Sequence, residues 1–362
     1  MSARRAFDAG AFGVKWAKRV AFVALSIAVA FLATEAIVRV LFPRAAPRTA
    51  RATKFWRYDP RYGWSHVPGT RGSFESFGFE AEVSINSKGF RGPEREYERG
   101  ERPFRVLVLG DSFVWGYGVD FEDSFCARLE RLIPELEVVN LAVNGYGTDQ
   151  ELLLYRDEGR KYDVDLVAVV VADNDFKTNV ETVEFAIYGK PAFVIGEDGL
   201  DVVNLPVPQT PWLKRGAVRL AWNSYVLTTL HRFLELSRAL DDVAHVPDPA
   251  SDFPRSPSQA ITMRLLEDLA RDTTADGRDL IVIFADGVPA AAEAAKRLAT
   301  RGIASVVLDD HLDHDDAGLH LPRDFHWNVE GHERVAAVLE GTLRSRMRPN
   351  GVAPDRGASD VR

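Results

Sequence analysis

The stretch FRVLVLGDSFVWGYG, residues 104 to 118, decides the fold. Val106 to Leu109 form an unbroken aliphatic run, the mark of a strand buried on both faces, as strands of parallel sheets are. It runs straight into Gly-Asp-Ser. In open α/β sheets the ligand crevice lies beyond the carboxyl ends of the strands, so Ser112 stands where a reactive side chain would meet a substrate. Asp111 or Ser112 could equally cap the next helix. The glycines do not point to phosphate: the stretch has no P-loop lysine and lacks dinucleotide-binding spacing.

The rest of the chain repeats this grammar. EVVNLAV, DLVAVVVA, RDLIVIFAD and IASVVLDD read as further strands, alternating with the helical patterns EDSFCARLERLI, TDQELLLYRDEG, PAAAEAAKRLAT and VEGHERVAAVLEGTLRSR. That alternation predicts a three-layer α/β domain, a parallel sheet flanked by helices. Between Phe176 and about Pro257 the order breaks into a hairpin pattern, AFVIGEDGLDVV, a Trp-containing helical stretch from Trp212 to Leu240, and a Pro/Asp-rich connector. It reads as an insertion over the strand ends.

At 362 residues, 46% apolar and 27% charged, the chain can bury a full core. A formal net charge of -8 and no basic stripe in the folded part exclude general attraction to nucleic acid. The single cysteine, Cys126, can form no internal disulfide and falls in an amphipathic helix, where it is expected to pack in the core.

The N-terminus is built for another solvent. From Val20 to Phe42 the chain has 23 residues with only Glu35 and Arg39 charged, long enough to cross a bilayer. Glu35 and Arg39 stand at i and i+4, so on a helix they can pair on one face. A cleaved leader is the alternative, given small residues such as Ala28, Ala30, Ala33 and Ala36. Arg4, Arg5, Lys15, Lys18 and Arg19 precede the span, and Arg44, Arg48, Arg51, Lys54 and Arg57 follow it, so charge alone leaves the orientation open. The expected organisation is a short basic N-terminus (1–19), a transmembrane signal-anchor helix (20–42), a linker and short-strand approach segment (43–103), the main domain (104–345) with the insertion at 176–257, and a disordered tail (346–362).

The strand ends compare as a set. After Ser112, the second core strand ends in NLAVNGYGTD and the third in VVVADNDFKTN, and the last core loop reads LPRDFHWNVEGH. Hydrolysis through an acyl-serine needs a nucleophile, a base, a carboxylate to orient the base, and donors for the oxyanion. Each signal alone is weak, yet four fall at successive loops. Asn328 is expected to cap the last helix and His332 to be structural. DDHLDHDDAGLH, with His311, His314 and His320, matches no zinc spacing and reads as a solvated acidic loop.

On GDSF, NLAVNGYGT, DND and DFHWN the sequence resembles the SGNH hydrolases, or GDSL-type esterases, from Phe104 to Arg344. INSKGFRG and the apolar N-terminal helix look like a membrane-tethered bacterial branch. The resemblance implies a flavodoxin-like SGNH fold, with Ser112 as nucleophile, His326 as base and Asp324 as its partner. It also implies an oxyanion hole from the backbone N–H groups of Ser112 and Gly145 and the side chain of Asn174. Two departures stand out: Ala172 replaces the usual glycine of the third block, and the last block is Asp-x-His where many members have Asp-x-x-His.

The expected function is a serine esterase or deacylase, acting without metal or organic cofactor on an acyl ester of an envelope or extracellular glycan, an acylated polysaccharide. The chain would sit in the cytoplasmic membrane through one span, with its catalytic domain on the outer side. An O-acyltransferase, or an inactive envelope glycan-binding protein, are the alternatives. Trp212, Trp222 and Tyr225 in the insertion are candidate substrate-binding rings, or glue between insertion and core.

Overall fold

In the computed structural model, the described residues are 9–41, 54–76, 79–184, 188–197, 199–222, 224–227, 229–230, 253–322 and 324–347. The chain divides into two compact units, Met1–Ala50 with Gly216–Val246, and Arg51–Arg215 with Pro247–Arg362. Residues 1–8 of the expected basic N-terminus, the start of the linker, much of the later part of the insertion and nearly all of the tail lie outside the described residues.

The first unit is built on helix α1 (Ala9–Leu41), whose stretch Trp16–Leu41 is long and apolar enough to cross a membrane. Its apolar side chains are exposed, including Phe22, Leu25, Ile27 and Leu32. Among the described side chains of this helix Glu35 is buried, and it pairs with Arg39 at 2.9 Å, as the i, i+4 spacing predicts.

The second unit begins with two antiparallel hairpins, β1 (Trp56–Asp59) with β2 (Gly63–His66) and β3 (Arg71–Ser76) with β4 (Phe79–Ser84). These strands fall within the segment 43–103 that the sequence reads as a linker and short-strand approach, and they pack into the second unit. Phe55, Trp64 and Phe74 are buried, and Arg91 goes in with them. Its guanidinium donates to the carbonyls of Trp115, Gly116 and Val119 at 2.9, 2.6 and 2.7 Å and lies 4.4 Å from the Trp115 ring. A buried cation needs such partners, and these carbonyls belong to the loop that follows Ser112.

The core is a five-stranded parallel sheet of β5 (Phe104–Leu109), β6 (Leu136–Asn140), β7 (Leu166–Val171), and, after the short β8 (Val183–Glu184), β9 (Tyr188–Gly189), β10 (Ala192–Ile195) and β11 (Leu200–Val203), β12 (Asp279–Phe284) and β13 (Ala304–Val307). Its order is β13-β12-β7-β5-β6, all pairs parallel. The central strands β5, β7 and β12 carry continuous apolar stretches because both faces are covered; β7 is buried at every residue. The helices are α2 (Ser112–Trp115), α3 (Phe125–Leu132), α4 (Thr148–Asp157), α5 (Asp175–Thr178), α6 (Trp212–Trp222), α7 (Pro257–Ala275), α8 (Ala291–Thr300) and α9 (Val329–Arg346). Right-handed crossovers put α3 on one face and α4, α7 and α8 on the other. In keeping with that, α3 packs on α9, and α7 on both α4 and α8. From β5 the chain crosses to β6 on one side and then returns to β7 on the other, and this reversal of strand order makes the carboxyl end of β5 the topological switch point.

Two elements differ from the sequence reading. Helix α7 is not among the predicted elements, although Ser256 caps it by accepting from Gln259 N, Pro257 starts it, and Ile261, Leu265, Leu266 and Leu269 bury a helical stripe. The Trp-containing stretch ends as a helix at Trp222, and Ser224 opens a new turn by accepting from Leu227 N at 3.1 Å. The hairpin read in AFVIGEDGLDVV is present as β10 paired with β11.

Candidate active site

The switch point fixes the first side chain. β5 gives way to Gly110 and Asp111, and Asp111 caps α2 by accepting from Phe113 N at 3.0 Å. The capping role thus falls to Asp111, leaving the hydroxyl of Ser112 for other work. Ser112 is nearly buried, 6% exposed, and its Oγ lies 2.7 Å from His326 Nε2. His326 Nδ1 lies 2.5 Å from Asp324 Oδ1, which also accepts from the His326 main-chain N–H at 3.0 Å. The two-residue spacing of Asp-x-His therefore suffices, because one carboxylate oxygen serves both the ring and the backbone of the same residue.

The loop carrying His326 is pinned at both flanks. Leu321 N donates to His326 O at 2.8 Å, and His320 and Trp327 form a bridge. Asp286, just past β12, accepts from Trp327 Nε1 at 2.5 Å and bonds His320 Nε2 at 2.9 Å. Asn328 caps α9 by accepting from Gly331 N at 3.0 Å. His332 is buried and accepts from Phe125 N at 3.2 Å; burial pushes it down to about 3, so it stays neutral and structural.

The second and third loops are tied to the first. Val143 N donates to Gly110 O at 3.2 Å, and Gly145 has φ +80°, a left-handed conformation that suits a residue without Cβ. Asn174 Nδ2 donates to Tyr146 O at 3.3 Å, and the same side chain bonds the Asp111 carboxylate. Asn174 therefore spans the residue after Gly145 and the residue before Ser112. Ser112, Gly145, Asn174, Asp324 and His326 are thus gathered at adjoining strand ends.

Beneath them lies a set of buried acids. Burial, and next the charge of Asp175, push Asp111 up to about 7. Asp175 accepts from Thr148 N, Thr148 Oγ1 and Ala172 N, which lower its pKa, yet burial still raises it to about 6. Burial raises Glu151 well above the ordinary range. Asp149 pairs with Lys190 at 2.8 Å, both side chains essentially inaccessible. Lys190 comes from the insertion and also donates to Thr178 O at 3.1 Å, so the insertion's first part is anchored to the strand ends.

Among the described residues, the rings around the imidazole are Phe113, Tyr117 and Phe325, with centroids 5.0, 4.4 and 4.5 Å from it. Sequence reasoning passed over them, though they neighbour Ser112 and His326 in GDSFVWGYG and DFHWN. Of the candidate rings in the insertion, Trp212 is 72% exposed, and Tyr225 belongs to the other unit with Arg39 over its ring at 5.1 Å. The side chain of Trp222 lies outside the described residues. Asp313, His314 and Asp315 bring donor atoms within 4.8 Å of one another, but all three are exposed, as a solvated acidic loop requires.

Chemically, a hydroxyl donating to an imidazole whose Nδ1–H faces a carboxylate can pass on its proton as its oxygen attacks a carbonyl carbon. Residues 108–334 match the model of the GDSL-like lipase/acylhydrolase family. Among solved structures, the chain is similar to a psychrotrophic esterase from Pseudoalteromonas sp., at 9% identity and TM-score 0.40 over 67% of this chain and 98% of that one. It is similar to a GDSL-like lipase from Bacteroides thetaiotaomicron, at 10% identity and TM-score 0.39 over 69% and 92%. A two-domain esterase active on acetylated mannans follows at 12% identity and TM-score 0.36, over 70% and 52%. No curated protein matches the chain. The matched segment runs from within β5 into α9 and covers more than half of the sequence, so the chain belongs to the GDSL-like lipase/acylhydrolase family and is an enzyme that acts on ester bonds.

Proposed function

We propose that the protein is a membrane-tethered serine esterase that removes acyl groups from an envelope or extracellular glycan through Ser112, His326 and Asp324. The observation that carries the reading is the continuous chain from Ser112 Oγ through the imidazole to Asp324, at 2.7 and 2.5 Å. Ser112 Oγ bonds to the acyl carbon as its proton passes to His326 Nε2. The oxyanion would be met by the main-chain N–H groups of Ser112 and Gly145 and by Asn174 Nδ2. Collapse of the tetrahedral adduct expels the alcohol, which takes the proton from His326. Water then repeats the sequence on the acyl-serine, giving up a proton to His326 and releasing the acid and the free serine. Asp324 keeps the Nδ1–H tautomer and steadies the imidazolium that forms.

The glycan side of the reading is supported by Phe325, whose exposed ring stacks at 26° beside the imidazole and offers a flat apolar surface to the C–H face of a sugar. The tether reading is supported by the length and exposed apolar surface of Trp16–Leu41. The basic N-terminus then stays inside and the catalytic unit lies outside the cytoplasmic membrane. Chromogenic short-acyl esters and an acetylated oligosaccharide, offered to the full chain in detergent and to Ser112→Ala, test the chemistry. Turnover by the wild type and none by the variant is the expected result; equal turnover overturns it. A C-terminal alkaline phosphatase fusion, active only outside the cytoplasm, tests the topology, and a stable but inactive fusion refutes it.

A further inference from the structure

Helix α6 is inside out for a helix in water. At about 100° per residue, Trp212, Gly216, Leu220, Leu213 and Ala217 fall on one arc of about 140°. All five are exposed, Trp212 at 72%, Leu213 at 66% and Leu220 at 72%. Val218, on the opposite face, is half-buried, and so is Arg215 at one edge of the arc. Lys214 and Arg215 flank the apolar arc on its two sides.

A second observation sets the depth of this helix. Ser224, two residues past the end of α6, donates its hydroxyl to Glu35 Oε2 at 2.8 Å, and the main-chain N–H groups of Tyr225 and Val226 donate to the same carboxylate at 2.8 and 3.1 Å. Glu35 is therefore the cap of a helical turn outside α1, which explains why an acid is buried in an otherwise apolar span. From Trp16 to Glu35 a helix rises about 29 Å, close to the roughly 30 Å of a bilayer's hydrocarbon. With Trp16 at one boundary, where tryptophan prefers to sit, Glu35 stands at the other. Two residues span at most about 7 Å of chain, so α6 ends at that boundary.

We propose that α6 lies in the surface of the membrane that α1 crosses, with Trp212, Leu213 and Leu220 among the acyl chains and Lys214 and Arg215 against anionic lipid phosphates. The partner is the lipid interface itself: an apolar arc flanked by cations on a helix held at headgroup depth matches its layered chemistry. This rests on the reading of Trp16–Leu41 as a spanning helix.

The test uses the full chain in vesicles of phosphatidylethanolamine and phosphatidylglycerol. Cys126 is 1% exposed and burial pushes its thiol up, so an environment-sensitive maleimide will report on introduced cysteines alone. Leu220→Cys is compared with Leu25→Cys in the span and Ile195→Cys on the exposed β10–β11 hairpin, and Leu213→Cys serves as a second position on the arc. The label at 220 is expected to be quenched by doxyl lipids and to be several-fold less open to iodide than the label at 195. Iodide quenching at 220 equal to that at 195, with the label at 25 in lipid, overturns the proposal and leaves the span standing. Shielding from both quenchers overturns it in favour of a protein partner on that face. A water-exposed label at 25 removes the span and the proposal together.

Discussion

The hydroxyl of Ser112 and Nε2 of His326 lie 2.7 Å apart although 214 residues separate them in the chain. Two local devices bring this about. Asp111 takes the cap of α2, which leaves the Ser112 hydroxyl to meet His326, and Asp286 holds Trp327 beside His326. Ser112→Ala is expected to abolish ester hydrolysis and leave the melting temperature near that of the wild type, since the hydroxyl contributes little packing. His326→Ala is expected to lose on the order of 10³ or more in turnover, and Asp324→Asn somewhat less. Unchanged kcat in Asp324→Asn would reduce the triad to a dyad.

Asp111 makes the fold sensitive to pH. Unfolded, its carboxyl titrates near 4, whereas burial and then Asp175 push it up to about 7 in the native state. Between these values the folded chain keeps a proton that the unfolded chain has released. The stability this proton gives is complete below about pH 4 and is lost as pH rises through about 7. Asp111→Asn stays neutral throughout and retains an oxygen to accept from Phe113 N. Melting curves are expected to show this variant gaining on the wild type as pH goes from about 5 to about 8. A constant offset across that range would mean that Asp111 does not titrate there.

These residues show what was legible in the sequence and what was not. The five core strands announce themselves because strands covered on both faces must be apolar throughout, and their loops can be compared by position. Asp111 as cap and Ser112 as reactive group are both readable from GDSF, but which does which depends on where His326 arrives. The packing of residues 54–103 is hidden, since Arg91 looks like a surface cation until the carbonyls of Trp115, Gly116 and Val119 close around it. The burial of Glu35 is hidden for the same reason: its partners lie 189 to 191 residues away. Helix α7 did carry signals in the sequence, a Ser-Pro start and an apolar stripe.

Lys190 and Asp149 form an ion pair with no access to solvent. Removing one partner strands a charge among the neighbouring acids Asp175 and Glu151, which typically destabilises by about 3–5 kcal/mol. Lys190→Met is expected to cost about that much in chemical denaturation. Adding Asp149→Leu should recover most of it. Failure of the double variant to improve on the single one would show that Asp149 has support elsewhere.

Gly118 has φ +88°, and a Cβ there would sit 2.2 Å from Leu321 Cδ1. Leu321 N holds the carbonyl of His326, so pressure on this side chain is expected to shift the loop that carries His326. Gly69, φ +73°, has open space where its Cβ would be. An alanine at either site pays the left-handed strain, about 1–2 kcal/mol. Gly118→Ala is expected to lower kcat as well, and Gly69→Ala to leave it unchanged. Equal kcat in the two variants would free Leu321 of any part in placing His326.

Phe325 is 69% exposed, yet its ring stacks on the imidazole at 4.5 Å and 26° and approaches Phe113 at 5.9 Å. A large ring left in water beside the imidazole of His326 has two physical explanations. It can be a surface for the substrate, or it can hold His326 in place. The two separate in kinetics. As a substrate surface it contributes only for ligands large enough to reach it, so Phe325→Ala should raise KM for an acetylated oligosaccharide and spare a small acetyl ester. An aromatic contact worth about 1 kcal/mol corresponds to about fivefold in KM. As a support for His326 it would affect both substrates alike, through kcat. The substitution with leucine discriminates further: it keeps bulk against the imidazole and loses the flat face, so Phe325→Leu should behave like wild type if the ring only positions His326 and like Phe325→Ala if the ring meets a sugar. Loss of kcat on both esters, rescued by leucine, would defeat the glycan-facing role.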